Sequence, residues 1–251
     1  MIEKWKAFLG TTPKAAFNKL ASWYIAAINV RGVTLVEKRA VVDTWAYKHK
    51  VDVMILSETK VNANCVMNSE NYVWFFSSGV KNENRDKVEK ARQNNEKITE
   101  ELKQLVTEHH GTGIAIYKGY LNTIYAITPI DGRTMTSTLR NVNQFNIIAA
   151  YAPTSAAAEE NKEKIYNNLA KTVKSFPKHE FTIIGGDFNA KLIELTDEEK
   201  QIFGQHFLEA PEHTHTHSNT QRSKRWTVGG DFWTLQSTIG SASVTANSQN
   251  E

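Results

Sequence analysis

The sequence predicts a mixed sandwich of the α+β class, in which strands are interspersed with helices and hairpins. Two observations lead there. Short apolar, β-branched runs punctuated by turn residues recur through the first three quarters of the 251 residues, as strands do. Between them lie longer stretches with apolar side chains at helical spacing.

Taken in order, residues 23–30 (WYIAAINV) read as a strand ended by Arg31-Gly32. Residues 34–50 follow as an amphipathic helix, with Leu35, Val36, Ala40, Val41, Trp45 and Ala46 on its apolar positions. Residues 51–57 (VDVMILS) and 72–77 (YVWFFS) read as buried strands. Residues 83–108 place Val88, Ala91, Asn95, Ile98, Leu102 and Leu105 in steps of three and four. Glu83–Lys87 and Asp86–Lys90 add (i, i+4) pairs, so this run is expected as a helical insertion. Strands at 113–117, 121–128, 133–139 and 145–151 precede a second amphipathic helix at about 158–175 and a strand at 181–186 (FTIIGG). Residues 1–22 form a lead-in, and residues 23–195 the folded domain. Residues 196–251 are polar, with diverged or disordered character expected, and no strand is expected in 218–251.

Composition narrows the function. Hydrophobic residues make 40% and charged residues 23% of the chain, as in ordinary globular proteins. No apolar run approaches the roughly 18 residues of a membrane span. The formal charge of +3 permits a nucleic-acid partner without requiring one. Cys65 is the single cysteine, which excludes an internal disulfide and a thiolate metal cluster. No secretory leader is recognisable in 1–22. An intracellular protein, nuclear or cytoplasmic and not secreted, is expected.

Chemistry-bearing residues stand at strand ends. Asn29 closes the first strand (INVRG), Glu58 follows VDVMILS (LSETK), and Tyr151 ends FNIIAAY (AAYAPT). Asp187 and Asn189 follow FTIIGG (IIGGDFNA). Side chains gathered from several strand ends onto one rim are held firmly by the sheet. Oxygen donors without cysteine suit a hard cation such as Mg²⁺, which takes one or two carboxylates with water and substrate phosphate. Arg133, in Asp131-Gly132-Arg133-Thr134, is either a phosphate-binding fork or a solvated turn residue. Lys60 reads as a surface lysine.

These motifs, INVRG, ILSETK, HHGTGIAIY, IIAAYAPT and IIGGDFNAKL in that order, resemble the endonuclease/exonuclease/phosphatase superfamily. That group includes DNase I and the abasic-site endonucleases. Within it the chain looks most like the endonuclease domains of non-LTR (LINE-type) retrotransposons and the craniofacial development protein 2-like sequences, from about Tyr24 to Leu192. The resemblance implies a DNase I-like four-layer sandwich, two packed β-sheets flanked by helices. It implies phosphodiester hydrolysis with Mg²⁺ or Mn²⁺ and a DNA substrate. Glu58 and Asn29 would hold the metal, and Tyr151 would contact the scissile phosphate. Asp187 would position or activate water, Asn189 would stabilise charge, and Arg133 would reach a substrate phosphate.

One departure bears on activity. The family ends with a strand aspartate and then a Ser-Asp-His segment, and no Ser-Asp-His occurs in this sequence. The fold is therefore expected to be C-terminally incomplete and the chain a weak or inactive nuclease, since general acid–base catalysis contributes about 10²–10⁴-fold. No neighbouring residue stands out as a substitute imidazole. His213, His215 and His217 read as a solvated loop, and Gly229-Gly230-Asp231-Phe232 as a chance echo of the GGDF motif. A non-catalytic interaction module and a phosphoinositide or sphingolipid phosphatase are the alternatives.

Overall fold

Strands buried on both faces read as unbroken apolar runs, and VMILS and YVWFFS do so for that reason. Successive side chains along them go to opposite sides. Val53, Ile55, Val73 and Phe75 enter one core, while Met54, Leu56, Trp74 and Phe76 enter another. The computed structural model describes residues 23–107, 109–140 and 144–189, and the backbone of 233–236.

A five-stranded sheet takes the order β1 (Ile25–Asn29), β2 (Val53–Ser57), β5 (Thr112–Tyr117), β4 (Tyr72–Ser77), β3 (Cys65–Asn68). A second five-stranded sheet runs β10 (Trp233–Gln236), β9 (Phe181–Asp187), β8 (Gln144–Tyr151), β7 (Thr134–Arg140), β6 (Ile124–Asp131). Neighbours β1–β2, β8–β9 and β9–β10 are parallel, and the other pairs are antiparallel. The central core, with Ile55, Ile114, Met135 and Ile147, fills the space between the sheets. Helix α1 (Val36–Lys48) packs Ala46, Val42 and Trp45 on the outer face of the first sheet. Helix α4 (Glu159–Lys174) packs Leu169 and Val173 on Ile148, Ala150 and Ile184 of the second. Helix, sheet, sheet, helix: the expected four layers are present.

The sheets approach each other closely near the end of β9. A Cβ on Gly185 would lie 2.5 Å from Ile55 Cδ1, across the central core. One residue on, Gly186 has φ +146°, and a Cβ there would lie 1.7 Å from the Ala150 carbonyl oxygen. Only glycine fits at 186, and at 185 a side chain would require Ile55 to shift, which explains the GG before Asp187.

Several elements depart from expectation. Residues 83–108 form two helices, α2 (Asn82–Gln93) and α3 (Glu100–Val106), instead of one. Asn95 takes φ +54° and ends the first, and Thr99 caps the second by accepting from the Leu102 amide. Of the projected stripe only Val88 and Ala91 are buried, and Leu105 is exposed.

Helix α1 buries only the C-terminal part of the face expected, Trp45 and Ala46. Leu35, Val36 and Val41 are exposed, while Asp43 and Ala46 are buried. The reason is polar: Asp43 accepts from Asn71 Nδ2 at 2.6 Å and from the Asn71 and Tyr72 amides, fixing the turn before β4.

Two strands lie outside the expectation. β3 is short and only partly buried, so its alternation is faint. β10 contradicts the projected absence of strand in 218–251, because Trp233–Gln236 pairs in register with Ile183–Gly186 of β9. Four residues are too few for a period to show in sequence. Residues 1–22, His213, His215, His217 and Gly229–Phe232 lie outside the described residues. Among the described residues no helix is long and apolar enough to cross a membrane.

Candidate active site

Register brings the expected residues to one end of the sandwich. Asn29 pairs with Ser57, so Glu58 emerges beside Asn29 at the edge of the first sheet. Tyr151 pairs with Asp187 at the edge of the second. A bond from Asn29 Nδ2 to Asp187 Oδ2 at 2.7 Å joins the two sheets there.

Each sheet ends in a side-chain-closed turn at this rim. Asn29 Oδ1 accepts from the Arg31 amide at 3.1 Å, and Asp187 Oδ1 accepts from the Asn189 amide at 2.9 Å. Both are Asx turns, a fold-back that asparagine and aspartate make with their own backbone. Asn189 Nδ2 donates to the Ala152 carbonyl at 2.7 Å, which ties its amide to the strand end carrying Tyr151.

Backbone strain concentrates here. Among the described residues six non-glycine residues take positive φ, and four of them, Arg31, Glu58, Lys60 and Asn189, stand on this rim. Such conformations cost about 1–3 kcal/mol each and collect where side chains must be aimed.

Glu58 is largely buried, with 21% of its side chain exposed, and faces Lys60 Nζ at 3.1 Å. Lys60 is therefore a surface lysine with a definite partner. Tyr151 is buried, and burial pushes its phenol up from the ordinary value. The Glu58 and Asp187 carboxylates add to that push, while the Arg133 guanidinium and a hydrogen bond with Asn189 oppose it. Both carboxylates thus act on one phenol.

Arg133 is not a solvated turn residue. Its amide is held by Asp131 Oδ1 at 2.8 Å, and its Nη1 donates to the Tyr151 carbonyl at 3.2 Å. Its guanidinium carbon lies 5.1 Å from the Tyr151 ring centre. Its Nη2 lies 3.0 Å from Nε2 and 3.2 Å from Nδ1 of His110. The imidazole centre is 5.9 Å from that of Tyr151. Sequence reasoning assigned His110 no role and found no imidazole for the site. The available signal was a His-Gly pair directly before a buried strand.

The donor set fits a hard divalent cation. It offers the carboxylates of Glu58 and Asp187 with the amides of Asn29 and Asn189, all oxygen donors. The Lys60 ammonium against Glu58 shows that this carboxylate attracts positive charge. Among the described residues no group of three or more His, Cys, Asp or Glu could hold a metal.

No protein-family model and no curated protein matches the chain. Solved structures do. The endonuclease domain of TRAS1, a telomere-specific non-LTR retrotransposon, aligns at 14% identity and TM-score 0.43 over 68% of this chain and 62% of its own. An endonuclease/exonuclease/phosphatase family protein from Leptotrichia buccalis aligns at 12% identity and TM-score 0.44, covering 67% of each chain. An AP endonuclease from Archaeoglobus fulgidus aligns at 16% identity and TM-score 0.45, over 66% of this chain and 57% of its own. The chain spans less than two thirds of the TRAS1 and Archaeoglobus proteins.

Proposed function

We propose that the chain is a metal-dependent phosphodiester hydrolase of the retrotransposon endonuclease type, acting on DNA. The observation that carries this is the Asn29–Asp187 bond, which closes a rim holding Glu58, Tyr151 and Asn189 from both sheets. The motif order in the sequence supports the same reading.

In this reading Glu58, with Asn29, holds Mg²⁺ or Mn²⁺, which when bound polarises the phosphate. Asp187 receives two N–H donors, from Asn29 and Asn189, which fix the orientation of its carboxylate. So held, the carboxylate orients a water and takes its proton as the water attacks phosphorus, while the P–O bond to the departing sugar oxygen breaks and that oxygen takes a proton from solvent. The Tyr151 phenol, kept protonated by burial and by both carboxylates, donates to a phosphate oxygen. The Asn189 amide offers a further donor, and Arg133 offers its fork to the phosphate. Turnover is slow in this reading, because the sequence contains no Ser-Asp-His.

Nicking of supercoiled plasmid in Mg²⁺ tests it. The expected result is weak, EDTA-sensitive cleavage that disappears in Asp187→Ala. Robust cleavage overturns the slow-turnover part. No cleavage above the Asp187→Ala background overturns the hydrolase and favours a non-catalytic module. Faster release of phosphate from phosphoinositides than nicking of DNA replaces the substrate class.

A further inference from the structure

We infer that the pole of the sandwich opposite the rim is a stacking platform for single-stranded nucleic acid, built on Tyr24, Tyr47 and Tyr117 with Lys48, Lys50 and Lys118 around them. The backbone gathers these residues. Tyr24 precedes β1 and Tyr117 ends β5, which sets them about 17 Å along the strands from Asn29 and Thr112 at the rim. The Asp52 amide donates to the Tyr24 carbonyl at 2.8 Å and the Tyr117 amide to the Asp52 carbonyl at 2.9 Å. The Lys50 amide donates to the Tyr47 carbonyl at 3.0 Å, which brings the end of α1 to the same pole. Tyr24 and Tyr117 alternate with Ile25 and Ile116 of the central core, so they fall with Ala26 and Ala115 on the face that carries α1.

The rings are braced from within and open outward. The centre of Tyr47 lies 6.1 Å from that of Tyr117, with the planes 32° apart. Tyr117 in turn meets Tyr72 edge-on at 5.8 Å, and Tyr72 is wholly buried. Tyr47 and Tyr24 are 52% and 47% exposed, so flat π faces stand in water over a fixed aromatic base. Charge decides the partner. Lys48 and Lys118 directly follow Tyr47 and Tyr117, and all three lysines are exposed. None of them has an ion-pair partner among the described residues. Of the acids in the same segments, Asp52 is partly buried and accepts from the Tyr24 amide at 2.8 Å, and Glu70 is exposed. Ammonium groups beside half-exposed rings match a strand with unpaired bases, its phosphates meeting the lysines and its bases the rings. A duplex keeps its base faces stacked inside and cannot use the rings.

The platform is separate from the rim and does not rest on the hydrolase reading. Fluorescence anisotropy of a labelled oligothymidylate, titrated with the full chain in EDTA, tests it. The expected result is a Kd weakened about tenfold in Tyr47→Leu, which keeps an apolar side chain but no ring, and little changed in Tyr47→Phe. Lys118→Ala makes the slope of log Kd against log salt shallower by about 0.7, the share of one phosphate contact on a single strand. Lys50 takes φ +56° just past α1, where glycine is the usual residue, so Lys50→Gly is at least as stable as wild type yet binds more weakly. A folding artefact cannot produce that combination. Equal affinity in wild type and Tyr47→Leu, or no binding at about 100 μM protein, overturns the proposal. Self-association that Tyr47→Leu abolishes, without oligothymidylate binding, overturns it in favour of a second copy of the chain. If Tyr47-dependent binding persists while plasmid nicking is absent, the hydrolase falls and the platform stands. If nicking proceeds while oligothymidylate affinity ignores Tyr47, the platform falls and the hydrolase stands.

Discussion

The Asn29 amide donates to Asp187 at 2.7 Å across 158 positions of the chain. An acid at the edge of one sheet is thereby aimed by the first strand of the other. Asn29→Ala removes the donor and costs about 1–2 kcal/mol, as for a hydrogen bond to a charged group that is partly exposed. Urea denaturation measures the loss. Nicking falls by more than the drop in folded fraction, because the carboxylate also loses its orientation.

Gly186 admits no side chain. Its φ of +146° and the 1.7 Å approach to the Ala150 carbonyl mean that Gly186→Ala must push two paired strands apart. The expected loss is about 3–5 kcal/mol, in the range reserved for named structural faults. A denaturant midpoint close to that of wild type would contradict this packing.

Buried hydroxyls beneath the rim divide into two kinds. Ser57, Thr112 and Ser77 lie in one row across β2, β5 and β4. Ser77 Oγ donates to the Asp131 carbonyl at 2.6 Å, while the Ser57 and Thr112 hydroxyls have no hydrogen-bond partner among the described residues. Thr112→Val therefore raises stability by about 1 kcal/mol, since an unpaired buried polar group is exchanged for an apolar one of the same shape. Ser77→Ala lowers it by about as much. Thermal melts of the two variants should move in opposite directions.

Lys60 is both strained and competitive. With φ +57° and 44% of its side chain exposed, its ion pair to Glu58 is worth at most about 1 kcal/mol. Lys60→Gly relieves the backbone and releases the carboxylate. Stability then changes by less than about 1 kcal/mol, and Mg²⁺ binds more tightly in a calorimetric titration. Weaker Mg²⁺ binding in the variant would show that Glu58 does not hold the metal.

Tyr72 sets an alkaline limit. Its ring is wholly buried and its hydroxyl donates to the Val51 carbonyl at 2.6 Å. Burial first, and then the Asp43 and Asp52 carboxylates, hold its phenol far above the ordinary value. The unfolded chain ionises near pH 10 while the folded one still keeps the proton, so stability is full below about pH 10 and declines above it. Tyr72→Phe is less stable at pH 7, through the lost bond, but its denaturant midpoint falls less steeply above pH 10.

Much of this architecture is legible in the sequence because it depends on local pattern. VMILS and YVWFFS announce buried strands, and the residues after INV, MILS, IAAY and IIGG mark where strands stop. All five expected rim residues stand at one end of the sandwich. What escaped depends on tertiary partners. The face that α1 buries is chosen by Asp43 meeting the turn before β4, which no hydrophobic spacing reveals. The break at Asn95 is a left-handed residue inside a run whose periodicity continues. His110 escaped because its contact is with Arg133, 23 positions away in the chain.

The long reach of the Asn29–Asp187 link has a consequence for biogenesis. A ribosome delivers β1 early and Asp187 much later, so a nascent chain that already holds its first sheet still lacks a working rim. Contacts this remote in sequence form late, because the intervening loop must first be closed. Synthesis itself thus acts as a timer, withholding the closed rim until most of the sandwich has been made.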